Sequence, residues 1–578
     1  MEEKKLTGYP SIDRPWLKYY SEEAINTVIP ECTVYEYLWE KNKDYLSRPA
    51  LRYFDKKITF GEMFENIKKA TKAFQAIGLK KGDIIIMATV TTLEAVYAFY
   101  ALNRLGVIPN MVDPRTSTKG IKEYIKEVDA KVVLTLDVAY PKIEKAIVGT
   151  NVERIIVTSP IDSLSAVKKA LFVTANKIKG NIYKLSDNCV LWKQFIINGS
   201  YNSIADVQYE KDSCCIIVHT GGTTGFPQGV MLSNENINAL VLQSILTGID
   251  MKREHTWMNI MPPFIAYGIG MGLHLPLVIG METILIPSFD AKKFDELLLK
   301  HKPIHMVGVP SYWGTIINSP KLAKRDLSFM IAPTVGGDAM DTTLEKNANE
   351  FLSNHGCNYP ITKGYGMTEV SAGVAGTVME NNEIGSVGVP FVKTVISVFD
   401  VETSEELKYN EQGEICISGP NVMLGYYNSE PATKEIKRLH SDGSVWIHSG
   451  DIGYMTENGS IFILDRVKKM IIRYDGFKVF PSLIEKTVLT HKAVISCCAV
   501  GTRDNEHSQG KLPIVFIVPD FEYGKEAEIK QELIVLCKKE LPEYAWPMDF
   551  IFLDTLPVTP IGKIDYRALE KEAALIDN

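Results

Sequence analysis

The sequence predicts an α/β protein. A large N-terminal domain of helix-covered, mainly parallel sheets carries a β-rich subdomain, and a smaller α+β domain follows it. Three observations carry this expectation. The chain has 578 residues, more than one hydrophobic core accommodates. Over the first third, short apolar runs alternate with amphipathic helical patterns, the signature of strands crossing over through helices. From residue 382 the texture changes to short strands between Gly and Asn turns, and after DRVKKMIIRYDG a new α+β pattern begins.

The elements follow in order. Residues 33–80 read as helices around a strand signal in ALRYFDKKITF. KKGDIIIMATV turns into a buried strand, and TLEAVYAFYALNRLG is a helix ended by Gly106, where a residue without Cβ suits the left-handed cap. AKVVLTLD and ERIIVTS are further short strands. SLSAVKKALFVTANKIKG, within 163–180, is a basic amphipathic helix candidate. It fits a surface helix packed on its own domain, or peripheral contact with a membrane. GSVGVP, VISVFD, GEICISGP, SVWIHSGDIGYM and GSIFILDR make the β-rich subdomain, about 382–467. FPSLIEKTVLTH, VISCCAVGT, KLPIVFIVP and IKQELIVLCKKEL give helix, strand, strand and helix of the small domain. The expected boundaries are 1–467 and 468–578.

Composition excludes several classes. A formal net charge of −7 argues against nucleic acid as partner. The nine cysteines are scattered and include no CxxC, so they indicate neither a zinc site nor a disulfide framework. No run of about 18 apolar residues is present, so no membrane span is expected. The first twenty residues have no signal-peptide core, and the expected location is cytoplasmic.

HTGGTTGFPQGVMLS (219–233) has the ingredients of a phosphate loop. An apolar strand, CCIIVHT, leads into it. Gly221, Gly222 and Gly225 permit close backbone approach to an anion, and Thr220, Thr223 and Thr224 add hydroxyl donors. It is not a Walker loop, because Val230 follows Gly229 where that pattern requires lysine. Taken alone, such a loop is more often a structural turn. Three other stretches accompany it: KGYGMTE (363–369), WIHSGDIGYM (446–455) and LPVTPIGKIDYRAL (556–569).

With these residues in place, the chain resembles the adenylate-forming superfamily of acyl-CoA synthetases, aryl-CoA ligases and adenylation domains. TGGTTGFPQGV is similar to that family's [ST]SGTTGxPKGV, and GYGMTE, SGD, DRxK and PxxxxGK recur in the family order. The resemblance spans roughly residues 33–570. It implies ATP-dependent conversion of a carboxylic acid to an acyl-adenylate, followed by thioester formation with CoA, with Mg2+ as metal. It implies phosphate binding by Thr220, Gly221, Gly222, Thr223, Thr224, Gly225 and Gln228. Glu369 would ligate Mg2+, Thr368 would bond the α-phosphate, and Tyr365 with Gly366 would face adenine. Gly336, Gly337 and Asp338 would line the adenine edge, Asp451 would hold the ribose, and Arg466 would reach ribose or phosphate. Lys563 would bridge carboxylate and α-phosphate from a mobile C-terminal domain hinged at Lys468, and Gly476 would leave room in the thiol tunnel.

Three departures from the pattern stand out, one of them Asn234 where the family commonly carries histidine. Gln228 replaces the loop lysine, which keeps donors but loses the charge. In the acyl-pocket segment MPPFIAYGIGMG, with Phe264 and Gly268, Ile265 stands where many relatives carry histidine, which favours an aliphatic or fatty acid. GIGMG lacks the context of a dinucleotide fingerprint, and Pro303 in HKPIH breaks a helical metal pair, so both read as structural. An acyl carrier protein is the alternative acceptor, and a non-catalytic acyl or nucleotide binder is the alternative of another class.

Overall fold

In the computed structural model of the chain, the described residues are 6–164, 185–199, 206–220, 227–440, 443–473, 478–504, 510–520, 524–558 and 564–576. The basic segment expected to be helical lies almost wholly outside them. The chain divides into two compact units. One comprises residues 1–396, 416–448 and 456–461, and the other 397–415, 449–455 and 462–578.

Among the described residues, the first unit holds two large sheets. In the eight-stranded sheet, Cys214–His219, Ile108–Met111, Ile84–Ala88, Val132–Leu136, Arg154–Thr158 and Cys189–Leu191 are neighbours in that order and parallel. Gly229–Ser233 and Gly425–Tyr426 extend it antiparallel beside Cys214–His219. These strands are near-continuous runs of Ile, Val and Leu because helices cover the sheet. The helix Leu93–Leu105 is almost wholly buried, with Thr92 Oγ1 accepting from Ala95 N and Gly106 ending it at φ 66°. That end is where the sequence puts it.

In the nine-stranded sheet, Pro49–Tyr53, Glu282–Leu285, Thr256–Asn259, His305–Gly308, Thr334–Val335 and Thr362–Tyr365 run parallel. Two local expectations are corrected here. ALRYFDKKITF is a hairpin, because Phe54 takes φ 52° and returns the chain as Lys56–Thr59 beside Pro49–Tyr53. Val389–Pro390, expected in the β-rich subdomain, is the edge strand of this sheet, paired with Ala375–Gly376. Residues 16–20 are locked in by distant chain. Trp16 is fully buried, a Cβ on Gly459 would lie 3.0 Å from its backbone N, Lys18 Nζ donates to Asn458 Oδ1 at 2.9 Å, and Tyr20 OH donates to Pro390 O at 3.0 Å.

In the second unit, Val494–Arg503, Lys511–Pro519 and Asp549–Phe552 form a three-stranded sheet. Cys497 packs on one face with Ile484, Leu533 and Cys537, and Cys498 on the other with Leu569 and Ala573. The adjacent thiols thus follow the alternation of a pleated strand. The strand Val445–Met455 is continuous through SGD. Gly450, at φ 71°, is left-handed within it.

Candidate active site

Parallel strands deliver their following loops to one edge of a sheet, where ligands gather in α/β folds. In the nine-stranded sheet, Val307 pairs with Thr334 and Gly308 with Val335, while Thr334 pairs with Thr362 and Val335 with Lys363. The segments after Thr256–Asn259, Thr334–Val335 and Thr362–Tyr365 therefore emerge side by side. They carry Phe264, Ile265 and Gly268, then Gly336, Gly337 and Asp338, then Gly366, Thr368 and Glu369. A Cβ on Gly336 would lie 3.2 Å from the Tyr267 hydroxyl, in the segment after Thr256–Asn259, and 3.6 Å from Gly364 O. Gly336 is buried, whereas Gly337, at φ 80°, and Asp338 are exposed.

Glycine is needed at two of these places. A Cβ on Gly366 would sit 1.9 Å from Ala372 O, so the strand end and the turn beyond Glu369 touch backbone to backbone. A Cβ on Gly268 would sit 1.8 Å from Pro262 O. This accounts for the first glycine of GIGMG by packing, as read from the sequence.

Glu369 lies in a short 3-10 turn, Thr368–Val370, and is only 6% exposed. Tyr426 OH donates to Glu369 Oε1 at 2.7 Å, and Met423 N donates to Glu369 O at 2.9 Å. Ser371 Oγ donates to Asn421 O at 2.9 Å, anchoring the next residue to the same segment. Ser371 and Ala372 have φ of 61° and 95°, strained for residues with a Cβ. Behind this turn, Lys363 and Glu345 form a buried ion pair, with Lys363 Nζ also donating to Glu383 O at 2.7 Å and Glu345 Oε2 accepting from Gly385 N at 3.0 Å. Burial holds the Lys363 pKa below the usual lysine range, against the pull of Glu345.

At the eight-stranded sheet, Cys214–His219 leads to Thr220, whose N donates to Gln228 O at 3.1 Å and closes the neck of the glycine-rich loop. Gly221, Gly222, Thr223, Thr224 and Gly225 lie outside the described residues. His219 Nε2 is 2.5 Å from Asn110 Oδ1, its ring centre is 4.2 Å from that of Tyr124, and burial pushes its pKa down to about 4.

In the second unit, Arg466 Nε is 2.8 Å from Asp451 Oδ1, with Asp451 buried and Arg466 exposed. Asp451 N donates to Ser449 Oγ at 3.0 Å, across Gly450 with its φ of 71°. The backbone of Lys468 lies in the turn Val467–Lys469. Gly476 and Lys563 lie outside the described residues. The residues flanking Lys563 are tied together by the Val558–Ile564 bridge and by Asp565 N donating to Pro557 O at 2.8 Å.

Family models match at two places: AMP-binding enzyme over residues 38–427, and AMP-binding enzyme C-terminal domain over 483–563. The chain belongs to the AMP-binding enzyme family. A long-chain-fatty-acid–CoA ligase of Bacillus subtilis (strain 168) is 28% identical over 570 residues, covering 97% of this chain and 98% of that one. A probable 4-coumarate–CoA ligase 1 of Dictyostelium discoideum is 29% identical over 571 residues, covering 94% and 96%. The fold of this AMP-binding enzyme is shared by ATP-bound MatB from Rhodopseudomonas palustris, with TM-score 0.80 and 20% identity over 94% of this chain and 100% of that one. It is also shared by the anthranilate CoA ligase AuaEII in complex with anthranoyl-AMP, with TM-score 0.80 and 18% identity over 96% and 99%.

Tyr426 was not singled out from the sequence. It reaches Glu369 because Gly425–Tyr426 pairs with Gly229–Ser233, a long-range pairing with no local pattern. Its position inside the glycine-rich GEICISGPNVMLGYYN was the available signal. Among the described residues, no helix is long and apolar enough to cross a membrane.

Proposed function

We propose that the protein is an AMP-forming acid–thiol ligase that activates an aliphatic carboxylic acid with ATP and transfers the acyl group to CoA. The observation that carries this reading is the gathering of the acyl, adenine and Glu369 segments at one edge of a parallel sheet. The ordered motifs and the family membership support it. In the first step a carboxylate oxygen attacks the α-phosphorus of ATP, the bond to the bridging oxygen breaks, and pyrophosphate leaves. In the second a thiolate attacks the acyl carbon and AMP leaves with the bonding pair.

Both steps bring anions together, so charge neutralisation and alignment dominate catalysis. Thr220 and the loop residues Gly221, Gly222, Thr223, Thr224 and Gly225 hold the β- and γ-phosphates. Thr368 bonds the α-phosphate, and Tyr365, Gly366, Gly336, Gly337 and Asp338 surround adenine. Asp451 accepts the ribose hydroxyls with Arg466 beside it. Glu369, buried and fixed by the Tyr426 hydroxyl, is a hard oxygen donor that fits Mg2+. Such an ion would offset phosphate charge. Lys563 bridges carboxylate and α-phosphate, and rotation at Lys468 exchanges it for the Gly476 loop between the two steps. Phe264 and Ile265 give the acyl segment an apolar character, which supports an aliphatic substrate. The cytoplasm supplies both ATP and CoA.

Pyrophosphate exchange against a panel of carboxylic acids, followed by addition of CoA or acyl carrier protein, tests the reading. Exchange with aliphatic acids and thioester formation on CoA are expected. Silence with every acid would leave a non-catalytic binder, and thioester on carrier protein alone would identify a loading enzyme. Lys563→Ala should nearly abolish exchange yet retain thioester formation from supplied acyl-adenylate.

A further inference from the structure

The turn that presents Thr368 and Glu369 is tied at its base and strained on its far side. Val374 N donates to Tyr365 O at 2.9 Å, and Ala372 N donates to Met367 O at 3.0 Å. Within these ties Ser371 and Ala372 stand at φ 61° and 95°. Left-handed residues that carry a Cβ persist only where their surroundings impose that backbone. Here the imposing contacts come from a distant stretch of chain, residues 419–426.

Asn421 grips the turn twice. Ser371 Oγ donates to Asn421 O at 2.9 Å, and Asn421 Nδ2 donates to Gly373 O at 3.2 Å. The two contacts bracket Ala372. Asn421 is fully buried, and a relay fixes which way its amide faces. Gln243 Nε2 donates to Thr394 Oγ1 at 3.0 Å, so the Thr394 hydroxyl turns its own hydrogen to Asn421 Oδ1, 3.2 Å away. The amide nitrogen is thereby left for Gly373 O. The stretch that carries Asn421 is itself held from behind. Asn236 Nδ2, in the helix Asn234–Ile245, donates to Pro420 O at 2.8 Å and to Val422 O at 3.0 Å, the residues on either side. Lys437 Nζ donates to Met423 O at 2.9 Å and to Leu424 O at 3.2 Å. Buried polar groups satisfied in this way are rigid, and a rigid side chain can hold a strained partner.

The strained residues bear on the site. The place a Cβ would take on Gly366 is 1.9 Å from Ala372 O, so a shift of Ala372 is felt at the strand end before Thr368. We propose that Asn421 is a positioning residue for adenylation, which holds Ser371 and Ala372 left-handed so that Thr368 and Glu369 face the phosphates of ATP. The inference rests on the reading of Thr368 and Glu369 as α-phosphate and metal groups, and adds a residue that acts through them.

Asn421→Ala, Asn421→Asp and the double variant Asn421→Ala with Ala372→Gly test this in the full chain. Aspartate keeps the volume and the acceptor for Thr394, but sets an oxygen against Gly373 O where a donor is needed. Both single variants should lower pyrophosphate exchange at saturating ATP and acid by about 10- to 100-fold, the scale of a displacement of about 1 Å. The KM for the acid should not change. Amide hydrogen exchange should quicken about tenfold over residues 367–374 and stay unchanged in the strand Ile84–Ala88. Glycine adopts a left-handed φ without strain, so Ala372→Gly should restore most of the rate lost in Asn421→Ala. Thr394→Val, which lets the Asn421 amide turn, should show the same signature more weakly. A role confined to packing would lower the unfolding midpoint, leave the rate intact below it and give no rescue by Ala372→Gly. With wild type active, an intact rate in Asn421→Asp, a failed rescue, or Thr394→Val without effect on rate and hydrogen exchange would each overturn this assignment alone. Wild type that exchanges pyrophosphate with no acid would overturn the adenylation reading instead.

Discussion

Replacing Tyr426 by phenylalanine removes one oxygen from the site and changes little else in volume. That oxygen donates to Glu369 Oε1 at 2.7 Å, between side chains whose residues are 9% and 6% exposed. A hydrogen bond to a charged acceptor contributes about 1.5–3 kcal/mol net. If Glu369 holds the metal only in the orientation this bond sets, the loss falls on the transition state. The adenylation rate then drops about 10- to 150-fold. Pyrophosphate exchange at saturating acid and ATP, repeated across Mg2+ concentrations, reads this directly. Exchange should fall, half-maximal activity should require more Mg2+, and the KM for the acid should stay put. Unchanged exchange with an unchanged Mg2+ requirement, beside a lowered unfolding midpoint, would refute the reasoning. Tyr426 would then hold the Thr368–Val370 turn in the fold and nothing more.

Gly366→Ala forces a Cβ to within 1.9 Å of Ala372 O, so backbone must move near Glu369. A displacement of about 1 Å in a reacting group costs on the order of 100-fold, measurable in the exchange rate at full ATP saturation. Lys363→Met leaves Glu345 charged and buried and should cost about 3–5 kcal/mol in urea unfolding. Adding Glu345→Gln should recover much of it, and additive losses would show that the pair is not coupled. Burial pushes His274 down to about 3 from an ordinary 6.5, so below about pH 6.5 the unfolded chain binds the extra proton and the native state loses stability as pH falls. The stability advantage of wild type over His274→Gln should therefore shrink by about 1.3 kcal/mol between pH 7 and pH 5.5. An advantage constant with pH would mean the imidazole is protonated inside the fold.

Much of the fold is legible locally. The runs IIIMA, VVLTL and CCIIVH are strands because they are apolar and bounded by turns, and Gly106 ends its helix because it alone there lacks a Cβ. The ordered motifs single out Glu369, Asp451 and Arg466, and the structure brings Asp451 and Arg466 within ion-pair distance. What escaped depended on pairing between distant segments. Tyr426 meets Glu369 through strand register that no local period encodes. Lys363, read as part of KGYGMTE, gives no sign in its neighbours that it is buried against Glu345. The left-handed Gly450 inside a strand escaped because a Ser-Gly pair suits a turn as readily as an extended run.

The seat of Trp16 has a consequence in time. Its lid, Gly459, and the Asn458 that binds Lys18 are joined to it across some 440 residues of chain. At roughly 5–20 residues per second, a ribosome takes about 20–90 s to add that length. For that interval an indole destined for the interior has no seat. Residues 397–415 and 449–455 belong to the second unit while 416–448 and 456–461 belong to the first, so neither unit can be completed before the other has begun. Synthesis of this chain therefore includes a long period in which sticky surface must be shielded. Messages truncated before codon 459 should yield products that chaperones retain rather than release.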